Sequence, residues 1–200
     1  MPEGILEEQH GYKNREAYWK RWVEENGPEA VAKKLLELEH NSEHDKLTGL
    51  LNRRGLEERI LSTAFSVGRR ASILSFLFID VDGLKKINDS EGHKIGDKAI
   101  MQVAGAIKIR GYDIAGRWGG DEFLVILPDT NQDDALLVVN KIKNNLHGAL
   151  TTVSIGVGVW DGIKEPLETI NEADRSMNLL KHSGLTRGER SKGIGVVTLE

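Results

Sequence analysis

From Ser72 to Ile79 the chain is almost wholly apolar, whereas from Leu150 to Trp160 it alternates through Val153, Ile155, Val157 and Val159. The first pattern predicts a strand covered on both faces, the second an alternating, β-rich segment. Between them, Tyr112-Asp113-Ile114-Ala115-Gly116 and Leu124-Val125-Ile126-Leu127 flank Gly119-Gly120, which reads as strand, turn, strand. Helical spacing recurs in residues 52–62 (Leu56, Ile60, Leu61), 95–109, 134–146 and 165–182, with a polar loop before the second of these. Residues 195–199 suit a final edge strand. Strands and helices alternate around a central hairpin, so the expected class is α/β (α+β): one sheet of about five strands flanked by helices.

Ahead of this pattern, residues 14–40 read as helical, with Tyr18, Trp19, Trp22 and Val23 on one face and Val31, Leu35 and Leu38 on a later one. Gly27-Pro28 interrupts them, the glycine suiting a C-terminal cap and the proline the first turn of a new helix. The polar run His40-Asn41-Ser42-Glu43-His44-Asp45 marks a boundary. The expected organisation is therefore an N-terminal helical extension, residues 1–44, for packing or dimerisation, and a main domain, residues 45–200.

Composition narrows the function. With 39% apolar and 29% charged residues the chain is of ordinary globular type. It has no apolar run of eighteen residues, so no membrane span is expected, and the N-terminus lacks the pattern of an export signal, which makes the cytoplasm the expected compartment. The absence of cysteine excludes disulfides and thiolate metal sites. A net charge of −4 with intermixed signs argues against nucleic acid as a partner.

Two acidic clusters remain. Asp121 and Glu122 are adjacent, just past the hairpin turn, and paired acids repel unless a positive charge lies between them. Asp80 and Asp82 end the most apolar strand at i and i+2, a place for hard oxygen ligands that suit Mg²⁺. Gly83 lets backbone amides approach an anion, and Lys85 adds a point charge for a phosphate. If the hairpin lies beside that strand, three or four carboxylates converge on one sheet edge, the arrangement of metal-assisted phosphoryl or nucleotidyl transfer.

Several ordered motifs carry a resemblance. They are Asp45-Lys46-Leu47-Thr48-Gly49-Leu50-Leu51-Asn52-Arg53; Ile79-Asp80-Val81-Asp82-Gly83-Leu84-Lys85 with Asn88-Asp89; Gly92-His93 and Gly96-Asp97; Gly119 to Phe123; Ser154-Ile155-Gly156; and Ala173-Asp174. From Asp45 to about Gly184 the chain resembles the GGDEF family of diguanylate cyclases. The resemblance implies a nucleotidyl-cyclase palm, similar to that of polymerases, and condensation of two GTP into cyclic di-GMP with release of two pyrophosphates. It implies Mg²⁺ (or Mn²⁺) held by Asp80, Asp121 and the Val81 carbonyl, with Glu122 adding charge or a further ligand, so that Asp80, Asp121 and Glu122 form the catalytic set. Asn88 and Asp97 match the residues that read guanine, Gly119 and Gly120 those that let base and ribose pass, and Gly83, Leu84, Lys85 and Lys181 those along the triphosphate. Arg110 and Asp113, an R-x-x-D before the signature, match an inhibitory site for the product. Catalysis by two GTP-loaded sites face to face implies a homodimer.

The chain departs from the family after Ala173-Asp174, where Leu185 stands in place of an expected phosphate-binding arginine and Arg187 and Arg190 are the candidates to replace it. Leu84 replaces a commoner phenylalanine. The forty or so residues before the domain are too few for an independent sensor. The alternative reading is a catalytically weak or silent module that binds GTP or cyclic di-GMP; the intact signature favours the enzyme.

Overall fold

The computed structural model describes residues 12–69, 72–108 and 110–182. By proximity along the chain trace it forms two compact units, Met1–Ser42 and Glu43–Glu200. The first contains most of helix α1, Tyr12–Glu43. Gly27, at φ 75° and ψ 174°, breaks the helical backbone there and Pro28 begins the next stretch, as the Gly-Pro pair predicts.

In the second unit the described elements are α2 (Arg53–Arg69), β1 (Leu74–Val81), α3 (Leu84–Glu91), α4 (His93–Ala106), β2 (Ile114–Arg117), β3 (Glu122–Pro128), α5 (Gln132–Asn145), β4 (Val153–Trp160) and α6 (Pro166–His182). The four strands form one antiparallel sheet in the order β2-β3-β1-β4. The expected fifth strand, residues 195–199, lies outside the described residues, as do Gly184, Leu185, Arg187 and Arg190.

Alternation along β1 sorts the core into two layers. Leu77, Ile79 and Val81 face Ile100 and Val103 of α4 and Val139 and Ile142 of α5. Leu74, Phe76 and Phe78 face Leu56 and Ile60 of α2 and Ile170, Ala173 and Met177 of α6. Every residue of β1 is buried, as its unbroken apolar run requires of a strand covered on both sides. The strand also continues two residues past the expected end at Ile79, because Asp80 pairs with Glu122 on one side and Ser154 on the other.

The stretch after β1, expected as a polar loop, contains helix α3. Only Leu84 and Ile87 supply its inward face, Leu84 in the core and Ile87 packed against it, too few apolar positions to set a visible period. Gly83 at φ 70° opens the helix and Gly92 at φ 86° separates it from α4, two left-handed positions that glycine adopts without strain. Helix α2 likewise runs past the expected end at residue 62, because Ala64 and Val67 extend its buried face.

Candidate active site

Asp80 sits near the end of β1 on the layer facing α2 and α6. The turn after β2 is closed by the Trp118 and Gly119 amides, which donate to the Glu122 carbonyl at 2.8 and 3.2 Å. The Val81 amide donates to the Asp121 carbonyl at 3.0 Å, tying that turn to the end of β1. Asp80 and Glu122 are direct cross-strand partners. The structure therefore brings Asp80, Val81, Asp121 and Glu122 to one sheet end. Asp80, with its side chain 8% exposed, is pushed up from 3.8 to about 6 by burial, and the charges of Asp121 and Asp82 add to the shift. Glu122 is raised by burial first, then by Asp121 and Asp174.

Helix α6 brings a cation to these acids: Lys181 Nζ lies 2.5 Å from Asp80 Oδ2. The helix reaches that place because it rests on bare strand. A Cβ on Gly156 would collide with the Ala173 carbonyl and stand 2.7 Å from the Met177 amide, and one on Gly158 would stand 2.6 Å from the Thr169 carbonyl. Asp174 comes with the same helix, and its influence on Glu122 was not read from the sequence.

Asp82, the other acid of the strand end, is committed elsewhere. Its carboxylate accepts from Thr152 Oγ1 at 2.6 Å and Ser154 Oγ at 2.7 Å, and its main chain exchanges bonds with Thr152 and Thr151. Hydroxyls of Thr152, just before β4, and Ser154, on β4, thus engage both oxygens expected for metal, which makes Asp82 a clamp between the ends of β1 and β4.

The hairpin has a clamp of its own. Arg117 donates through Nε at 3.1 Å and Nη2 at 2.6 Å to the Gly120 carbonyl, and Nη1 reaches Asp45 at 3.2 Å. Burial pushes the Asp45 carboxyl up, but the Thr48 hydroxyl and amide and the Arg117 guanidinium outweigh it and hold it below the usual range. Arg117 went unassigned in the sequence; its place just before the glycine pair was the available signal. Neither Gly119 nor Gly120 has a left-handed φ. A Cβ on Gly119 would stand 2.9 Å from Glu122 Oε2, whereas Gly120 faces open space. Trp118 packs edge-on against Phe78, with Arg53 4.7 Å over its ring.

Beyond β1, a Cβ on Gly96 would collide with Asn88 Oδ1 and stand 2.9 Å from Asn88 Cγ. The Asn88 side chain therefore lies against the first turn of α4, beside exposed Asp97. Lys85 is exposed, whereas the side chain of Leu84 is packed in the core. Arg110 and Asp113 lie at the opposite end of β2, roughly 13 Å of strand from the turn. They hold each other: Arg110 Nε donates to both Asp113 oxygens at 2.9 Å, and Nη2 donates to Thr130 Oγ1 at 2.9 Å. The Asp113 side chain is 2% exposed, so Arg110 is the accessible member of the pair.

The donor chemistry at the sheet end, three hard carboxylates around a buried strand terminus, fits a divalent cation. Among the described residues no three acidic or imidazole side chains are already drawn together as a cage.

A family profile described as diguanylate cyclase, GGDEF domain, matches residues 42–187. The chain is 36% identical over 154 residues to the response regulator PleD of Caulobacter vibrioides, covering 70% of this chain and 34% of that protein. It is 32% identical over 162 residues to the diguanylate cyclase DosC of Escherichia coli K12, covering 75% and 35%. The chain thus spans about a third of the length of these curated relatives. Among solved structures, the diguanylate cyclase SiaD of Pseudomonas aeruginosa, in complex with its activator SiaC, aligns with a TM-score of 0.73 at 30% identity over 94% of this chain and 73% of that one. The coiled coil and GGDEF domain of DgcB from Caulobacter crescentus, in complex with c-di-GMP, aligns with a TM-score of 0.77 over 95% of this chain and 100% of that one; at 20% identity it speaks for the fold alone.

Proposed function

The chain belongs to the GGDEF, diguanylate cyclase family, and from that premise we propose that it condenses two GTP into cyclic di-GMP, releasing two pyrophosphates. The observation that carries this reading is the convergence of Asp80, Asp121 and Glu122 at one sheet end, directly ahead of the helix pair bearing Asn88 and Asp97.

In this reading Asp80, Asp121, Glu122 and the Val81 carbonyl would hold Mg²⁺ or Mn²⁺, which would supply charge neutralisation at the phosphates and a lowered pKa for the attacking 3′-hydroxyl. Asp97 accepts from guanine N1–H and N2–H₂, and Asn88, fixed against Gly96, meets the purine edge. A base lacking those donors leaves these polar groups unpaired in the complex, which favours GTP over ATP. Exposed Gly120 leaves room for ribose and base, and the Arg117 clamp on its carbonyl keeps the turn in place. Lys85 and Lys181 neutralise the triphosphate, assisted by the main chain at Gly83 and Leu84. Each site supplies one 3′-hydroxyl to the α-phosphate on the other, so the working unit is a homodimer, with residues 1–44 as candidates to promote it. Arg110, with Asp113 orienting it, is the anchor for product inhibition. No described helix is long and apolar enough to cross a membrane, and the cytoplasm, where GTP is supplied, is the proposed compartment.

The test is incubation of the purified chain with GTP and Mg²⁺. Cyclic di-GMP and pyrophosphate are expected, with a rate rising faster than protein concentration. No product at any concentration overturns the cyclase reading in favour of a silent nucleotide-binding module. Product formed by Asp121→Ala overturns the metal assignment, and an unaltered response of Arg110→Ala to added cyclic di-GMP overturns the inhibitory site.

A further inference from the structure

The contact between Lys181 and Asp80 places a fixed positive charge on the oxygen cluster assigned above to a metal. Lys181 Nζ stands 2.5 Å from Asp80 Oδ2. A magnesium ion takes its oxygen ligands at about 2.0–2.1 Å. Two cations on that one oxygen would lie no more than about 4.6 Å apart, at a buried site where their repulsion is poorly screened. That repulsion opposes their joint occupancy of the carboxylate.

The ammonium is well suited to leave. It rides on a flexible four-carbon stem, its side chain is 29% exposed, and it sits in the last turn of α6. The helix beneath it is not free to follow. Ala173 and Met177 are buried, and Gly156 and Gly158 let the α6 backbone rest directly on β4. Any exchange is therefore a swing of the Lys181 side chain over a fixed backbone. Asp80 and Glu122 both feel its charge. Asp121 and Asp174 also act on Glu122, so a nearby positive charge favours the ionised form of the cluster.

We propose that Lys181 and a divalent cation are alternative occupants of the Asp80 carboxylate, so that arrival of the cation releases the Lys181 ammonium to the triphosphate. This rests on the reading of Asp80 as a metal ligand. One side chain then does two jobs in sequence. It neutralises the buried acid while no cation is bound, and it becomes available to phosphate only when the cation is in place. Metal and nucleotide binding are thereby coupled through Lys181.

The experiment is a titration of the full chain with Mn²⁺ in the absence of nucleotide, free Mn²⁺ being read by its electron paramagnetic resonance signal. Wild type, Lys181→Met and Asp80→Asn are compared. Lys181→Met is expected to bind Mn²⁺ roughly tenfold more tightly, as removal of an adjacent charge demands, and Asp80→Asn to lose the site. Unchanged or weaker binding by Lys181→Met, with binding still lost in Asp80→Asn, overturns the exchange and leaves the metal assignment standing. Binding that survives Asp80→Asn, or no binding by any of the three, removes the metal from Asp80 and the exchange with it. If Lys181→Met fails to fold, wild type carries the test by lysine side-chain NMR, with the Lys181 signal assigned through Lys181→Arg. Mg²⁺ is expected to move that signal to the position of a solvated lysine; a signal unmoved while Mg²⁺ binds overturns the proposal.

Discussion

At the residue scale, two side chains are set by what surrounds them more than by their own chemistry. Asn88 lies where it does because position 96 has no Cβ. Gly96→Ala is expected to displace the Asn88 amide and raise the KM for GTP about tenfold, the worth of one well-placed hydrogen bond, with a smaller effect on kcat. Steady-state kinetics beside a thermal melt checks this, and a KM unchanged in a folded variant contradicts it. Asp80 is the second case. The unfolded chain loses its Asp80 proton near the ordinary 3.8, the folded chain near 6. Between those values the folded state binds more protons, so this group's contribution to stability falls as pH rises across the interval and is level above it. In chelator-treated protein, Asp80→Asn should thus be no more stable than wild type near pH 4 and more stable by roughly 1–3 kcal/mol at pH 7. Urea denaturation at several pH values reads the difference directly, and a gain that shrinks with rising pH contradicts the assignment.

At the element scale, the site is assembled by the docking of α6 on β4 and of the β2–β3 turn on β1. Gly156 matters to the first because its missing Cβ lets the Ala173 and Met177 backbone touch the strand. Gly156→Ala is expected to cost about 1–3 kcal/mol, typical of an overpacked core. Since α6 also carries Lys181 and Asp174, the shifted helix should weaken nucleotide affinity as well. Denaturant melts and GTP binding on the same preparation separate the two effects. Full stability in Gly156→Ala would mean that α6 adjusts without strain. The second docking is tied to the Asp45 segment: Asp45 anchors Arg117, and Arg117 anchors the Gly120 carbonyl.

At the scale of the whole molecule, both hydrophobic layers and the complete described sheet belong to the unit beginning at Glu43. A chain starting at Glu43 is expected to melt within about 5 °C of the full chain, since no core residue is removed. If residues 1–44 promote pairing, the shortened chain will need a higher concentration to reach the same specific activity. Sedimentation and rate against concentration test this, and identical curves would exclude those residues from dimerisation. By itself the sequence determined the four described strands, the hairpin, the four main helices of the domain and the two acidic clusters, because apolar period and turn chemistry are local properties. Helix α3 was not legible, for two inward residues make no period. The roles within the clusters were decided only by tertiary structure. Spacing makes Asp80 and Asp82 look alike, yet Asp80 meets Lys181 from α6 while the hydroxyls of Thr152 and Ser154, at the start of β4, take Asp82. Arg117 and Asp45, seventy-two residues apart, become one clamp only in the folded chain. A side chain's partner depends on contacts distant in sequence, and the order of strands in the sheet is what brings them together.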